Sequence, residues 1–275
     1  MVVVIQCKDG VGLVAAISSV LANAGYNIVS MREHVDREEN KFFARIVVDE
    51  ISDPQNIEMA ITKVLPTDAI VKVNPLPEKK IVVLVTKEYH CLSDILTRNH
   101  FKTLGASVQC VIGNHPDLKS ITERFSIPFH LVSHENKTRE EFEAELMKQI
   151  DLNKPDYLIL AKFMRVLSPE FIGSFKLKII NIHHSFLPAF TGANPYSQAL
   201  KRGVKIIGAT AHFVTNDLDE GPIITQKTIS VNHSFILTDL IKAGRENETA
   251  ALARAMQLVF EDRVFVYNNK TVVFE

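Results

Sequence analysis

Pro75 and Pro77 interrupt a chain in which strand-like and helix-like segments otherwise alternate. Each proline removes a backbone donor and disfavours helix in the residue before it. With Glu78, Lys79 and Lys80 they predict a linker over 76–80, between a unit at 1–75 and a larger one at 81–275. A chain of 275 residues has room for two such domains.

The first unit has few elements. Val2 to Cys7 is a β-branched run, and Asp9-Gly10-Val11-Gly12 is a turn signal. Leu13, Val14, Ile17, Val20, Leu21 and Ala24 then fall at helical spacing, and Gly25 ends the helix. Tyr26 to Val35 and Lys41 to Asp49 pattern as paired strands. Asp53-Pro54 opens a second helix with Ile57, Ala60, Ile61 and Val64 inward, and Ile70 to Val73 is a last strand. The order predicts a ferredoxin-like βαββαβ unit. Beyond the linker, strands are expected at 81–86, 107–112, 156–161, 178–182, 206–214 and 223–231. Helical patterns fall between them, the last carrying Leu252, Ala255, Met256, Val259 and Phe260 on one stripe. That alternation predicts an α/β fold with a doubly wound, mostly parallel sheet.

Composition narrows the function. Lys plus Arg is 31 against 32 Asp plus Glu, so the formal charge is −1. A nucleic-acid backbone binder needs dense positive charge, so no nucleic-acid partner is expected. Apolar runs are far short of the ~18 residues that span a bilayer, so no membrane partner is expected either. Met1 to Ile5 lacks a basic leader and a cleavage site, and Cys7, Cys91 and Cys110 have no Cys-x-x-Cys spacing. Both features point to a reducing cytoplasm without disulfides.

Three stretches carry polar chemistry at strand ends, where open α/β sheets bind ligands. In Asn181-Ile182-His183-His184-Ser185-Phe186-Leu187-Pro188, alternation sends Asn181 and His183 to one face. An amide and an imidazole aimed at one spot can stabilise an oxyanion; equally, they can cap a strand end. His212 to Pro222 carries Asp217, Asp219 and Glu220. It reads as a solvated turn, a cation loop, or the source of an acid/base partner for a histidine. Ala161 to Pro169 offers an apolar lip of Phe163, Met164, Val166 and Leu167, suited to a flat heterocycle. It also offers a helix start, with Ser168 as N-cap and Pro169 at the first helical position. His183-His184 lacks the spacing of a helical zinc pair and has no evident third ligand, so no metal is expected. His90, His100, His115, His130, His134 and His233 read as surface or strand-end residues.

In this order and spacing, Ala161 to Pro169, Asn181 to Pro188 and Gly208 to Gln226 resemble the folate-dependent formyltransferases. Within them the chain resembles the formyltetrahydrofolate deformylases. His183-His184-Ser185-Phe186 and Phe190-Thr191-Gly192-Ala193-Asn194-Pro195-Tyr196 carry that branch, together with an N-terminal unit resembling an ACT domain. The resemblance implies Asn181, His183 and Asp219 as the catalytic trio. It implies Met164, Arg165, Val166 and Leu167, with His212, Val214, Thr215 and Asn216, as the folate-binding set. The implied reaction is hydrolysis of 10-formyltetrahydrofolate to tetrahydrofolate and formate, without a cofactor, supplying purine synthesis and balancing one-carbon pools. Two alternatives stand beside it. One is formyl transfer to an amine, although Thr86-Lys87-Glu88-Tyr89-His90 lacks a glycine for a phosphate cradle. The other is a non-catalytic folate or amino-acid sensor. The ACT-like unit implies a homo-oligomer, dimer or tetramer, and a possible amino-acid effector at Asp9, Gly12, Leu13, Asn27 and Ile28, or a unit that only oligomerises.

Overall fold

The computed structural model describes residues 1–49, 52–74, 78–188 and 195–275. Two compact units divide the chain. One comprises Met1–Pro77, Glu261–Tyr267 and Thr271–Glu275, the other Glu78–Phe260 and Asn268–Lys270.

In the first unit, β1 (Val2–Lys8), α1 (Leu13–Asn23), β2 (Ile28–Asp36), β3 (Lys41–Val48), α2 (Pro54–Val64) and β4 (Ile70–Asn74) follow the expected βαββαβ order. The strands form an antiparallel sheet in the order β2-β3-β1-β4. Strand alternation turns Val3, Ile5 and Cys7 inward, into one core with Leu13, Ile17, Leu21, Ile57 and Ile61. Val14, about 100° round the helix from Leu13, and Val64, at the last residue of α2, are exposed instead. Gly25 takes a left-handed φ of 81°, and the Gly25 and Tyr26 amides donate to the carbonyls of Ala22 and Leu21. This double bond ends α1 where the sequence expects it. Asp53 caps α2 by accepting from the Asn56 amide at 3.0 Å.

In the second unit, β5 (Lys79–Val85), α3 (His90–His100), β6 (Ala106–Gly113), α4 (Lys119–Arg124), β7 (Phe129–Leu131), α5 (Arg139–Asn153), β8 (Tyr157–Leu160), α6 (Pro169–Ser174), β9 (Ile179–His183), α7 (Pro195–Arg202), β10 (Ile206–Phe213), β11 (Ile223–Ser230) and α8 (Leu237–Phe260) succeed one another. The sheet order is β11-β10-β9-β8-β5-β6-β7. Pairs from β7 to β9 are parallel, while β10 runs antiparallel to both β9 and β11. The chain leaves β5 for β6 on one side and returns at β8 on the other, which makes the carboxyl ends of β5 and β8 a topological switch point.

Two sequence expectations need adjusting. Lys79 and Lys80, expected in the linker, already pair with Ala106 and Ser107 as part of β5, and residues 75–77 lie outside the described residues. The sequence assigns 81–275, C-terminal segment included, to the larger domain. Instead, β12 (Val264–Tyr267) and β13 (Lys270–Val273) bring Phe265 and Phe274 against Phe43, which is fully buried. The reason is legible in β3. Phe42, Phe43 and Ala44 are buried in succession, so both faces of the strand are covered rather than one. Among the described residues, no helix is long and apolar enough to cross a membrane.

Candidate active site

β9 ends at the carboxyl edge of the large sheet. There Asn181 stands opposite Leu160 of β8 on one side and His212 of β10 on the other. Asn181 and His183, two residues apart, share a face. The connection after β10 returns Asp219 to His183, with Asp219 Oδ1 at 3.2 Å from Nδ1. Nδ1–H therefore donates to the carboxylate. Nε2 is left buried and, among the described residues, without a partner, available to a reacting group. The bond from His183 holds the Asp219 carboxyl below its ordinary value, against burial, which pushes it up.

His212 backs the amide of Asn181. Its Nδ1 lies 2.9 Å from the Phe213 carbonyl, which can only accept, so this nitrogen carries the proton. Nε2 then accepts from Asn181 Nδ2 at 3.2 Å and lies 3.8 Å from Asp219 Oδ1. Burial pulls His212 below its ordinary value and keeps the ring neutral. Asn181 thus has its amide oriented, with a second N–H still to give. Gly221 makes this possible: a Cβ there would stand 1.8 Å from the Phe213 carbonyl oxygen. Turn chemistry alone, the sequence reading of Gly221, misses this.

The expected folate-binding residues are placed unequally. Met164 and Val166 are exposed, 58% and 60%, as an apolar lip should be. The Met164 amide donates to Thr86 Oγ1, and the Val166 carbonyl accepts from Arg139. Arg165 is exposed, with its guanidinium 5.9 Å from the centre of the Phe142 ring. Leu167 instead packs in the core with Phe163 and Phe171, and Val214 leans on that same core. Thr215 turns its hydroxyl to the Asp217 carbonyl, and Asn216 is exposed. His212 is 2% exposed with both nitrogens engaged, so its part is to hold Asn181 rather than to meet a ligand.

The expected effector residues fall in two groups. Asp9 lies next to the β1 end that pairs with Lys41, and Gly12 and Leu13 open α1. Ile28, with Asn27 before it, starts β2 at the far end of β3, opposite Val48. A strand rises about 3.3 Å per residue, so the two groups stand on the order of 20 Å apart in one copy.

A buried cluster is centred outside the three motif stretches. Glu248 of α8, 1% exposed, accepts from His90 Nε2 at 2.9 Å, Lys162 Nζ at 3.0 Å and Tyr196 Oη at 2.6 Å. His90, which the sequence suggests is a surface or strand-end residue, has a side chain only 8% exposed. The signal was present: Glu248 falls on the α8 stripe of Leu252, Ala255 and Val259, where an apolar residue is expected. His90, Cys91 and Glu248 offer ligand atoms within 4.8 Å of one another, but the Lys162 ammonium already brings a positive charge there.

A strand-end amide, imidazole and carboxylate on this sheet, in a chain with a separate βαββαβ unit, define a class. Residues 79–256 match the Formyl transferase family, and residues 1–65 match the ACT domain. The chain belongs to the formyltetrahydrofolate deformylase family. It is 49% identical to the formyltetrahydrofolate deformylase of Haemophilus influenzae over 98% of this chain and 96% of that one. Its fold is similar to the crystal structure of a formyltetrahydrofolate deformylase from Pseudomonas syringae, with a TM-score of 0.94 and 38% identity, covering 100% of this chain and 94% of the other. A glycinamide ribonucleotide transformylase from Symbiobacterium toebii is similar over 72% of this chain and 95% of its own, with a TM-score of 0.69 and 28% identity. Phe190 to Asn194, part of the motif that suggests the deformylase branch, lie outside the described residues.

Proposed function

We propose that the chain hydrolyses 10-formyltetrahydrofolate to tetrahydrofolate and formate, with Asn181, His183 and Asp219 as its catalytic residues. The observation that carries this is the bond from His183 Nδ1 to Asp219, which frees Nε2 for chemistry. Water attacks the formyl carbon and its proton passes to Nε2. The carbonyl oxygen gains charge and takes hydrogen bonds from the second Asn181 N–H and from the imidazolium. The C–N10 bond then breaks, Nε2 returns its proton to N10, and formic acid ionises to formate. Asp219 stays ionised throughout, fixing the ring's orientation and tautomer. The formyl carbon is already electrophilic, so the reading needs no cofactor.

The pterin ring lies against the lip of Met164 and Val166, with Arg165, Thr215 and Asn216 at its polar edges. The three buried free cysteines, Cys7, Cys91 and Cys110, fit a cytoplasmic enzyme whose formate feeds purine synthesis. The ACT unit carries assembly into a dimer or tetramer, and an amino-acid effector if one binds.

The test is to incubate purified protein with 10-formyltetrahydrofolate and no acceptor. Formate release supports hydrolysis. Turnover only with an added amine makes the protein a transferase, and binding without turnover makes it a sensor. Asp219→Asn is expected to lower kcat by about 10²-fold or more while folate binding is retained. Near wild-type turnover in this variant would remove Asp219 from the trio.

A further inference from the structure

We infer that His184 and Tyr196 are positioning residues for the His183 imidazole, anchored on the buried carboxylate of Glu248. This rests on His183 acting as proposed above. An imidazole held at Nδ1 by Asp219 can still swing about that bond, and Nε2 sweeps with it. What opposes the swing is a face contact. The His184 ring stacks on His183 with centroids 4.8 Å apart and planes at 24°. His184 is in turn flanked by the Tyr196 ring at 6.4 Å and 48°.

Tyr196 is fixed at its far end. Its hydroxyl donates to Glu248 Oε1 at 2.6 Å, while Lys162 and His90 hold Oε2. These donors come from α7, the turn after β8 and the start of α3, so four elements converge on one carboxylate. Lys162 reaches it from a left-handed backbone, φ 63°. Gly244, one turn before Glu248 on α8, leaves the space: a Cβ there would lie 2.1 Å from the Tyr196 hydroxyl. A buried ionic cluster is seldom the most stable way to fill a core. Here it supplies a rigid backstop in line with the catalytic ring.

The cluster also fits the charge cycle. His183 becomes an imidazolium during turnover, and a second imidazolium stacked on it would oppose that. Burial, with Lys162 nearby, keeps His184 neutral.

The test uses the full chain, with steady-state formate release and thermal unfolding measured side by side. Tyr196→Phe removes one hydroxyl and keeps the ring. Its kcat is expected to fall about tenfold with KM within about twofold, because misplacement by a fraction of an ångström acts on chemistry rather than binding. His184→Ala is expected to lose about as much or more, and His184→Phe, which restores a flat neutral face, to recover most of it. An unchanged kcat in Tyr196→Phe, or His184→Phe as slow as His184→Ala, would overturn the inference. So would losses of kcat and KM that merely track unfolding. Failure of the wild-type protein to release formate would instead overturn the proposed function, so the two failures are distinct.

Discussion

Gly221 shows how little tolerance the site has at the level of single atoms. The Phe213 carbonyl holds His212, and His212 orients Asn181. Gly221→Ala must push that carbonyl away. Overpacking of this kind costs typically 1–3 kcal/mol, so the variant should show a lowered Tm together with loss of formate release; full activity at an unchanged Tm would contradict the account. His184 offers a second measurement. Burial, then Lys162, push it down to about 4 from an ordinary 6.5. The unfolded chain therefore binds the proton more readily. This contribution to stability is full above about pH 6.5 and is lost as the pH falls toward 4. His184→Phe should flatten that part of the Tm–pH curve, and parallel curves for variant and wild type would refute the assignment. The spacing of Asn181 and His183 alone put two polar groups on one face of β9. The loop composition offers a carboxylate partner for a histidine, but the choice of Asp219 rests on the family resemblance, and its 3.2 Å approach to His183 is set by the connection between β10 and β11. Glu248 was missed because periodicity counts apolar positions and passes over the polar residue standing among them.

At the scale of elements, the lip loop is held from both ends. Ser168 caps α6 by accepting from the Phe171 amide, and its amide and hydroxyl both donate to Glu143 of α5. Ser168→Ala should cost on the order of 1–2 kcal/mol, since it removes a cap and leaves a mostly buried carboxylate short of a donor. It should raise KM more than it lowers kcat, because the loop it anchors carries Met164 and Val166. Steady-state kinetics check this, and an unchanged KM would detach the lip from binding. The Ser168-Pro169 start was legible because capping is local chemistry. β7 was not: its three residues are too few to show alternation, and its place is set by parallel pairing with β6. The antiparallel turn of β10 and β11 was equally hidden, since periodicity reports strands and not their direction.

At the scale of the whole molecule, the first unit's sheet has no strand beyond β2 or β4 among the described residues. β2 and β4 are its outer strands, with Val29 and Ile70 60% and 55% exposed. Open edges invite pairing with another copy. Light scattering should therefore give two or four times 30.9 kDa, and a monomer at working concentration would refute the assembly reading. Asp9 and Asn27 are separated along β3, so an effector that touched both groups would need residues from two copies. The C-terminal strands bear on how the protein can be dissected. Phe43 sits near the front of the sequence and its cover, Phe265 and Phe274, at the very back. Cutting after Asn74 would bare Phe43 to water on one fragment and leave two aromatic strands trailing, uncovered, from the other. Neither fragment would be a fair sample of the intact protein, so the ACT unit's contribution is better read from single substitutions, or from the two pieces mixed back together.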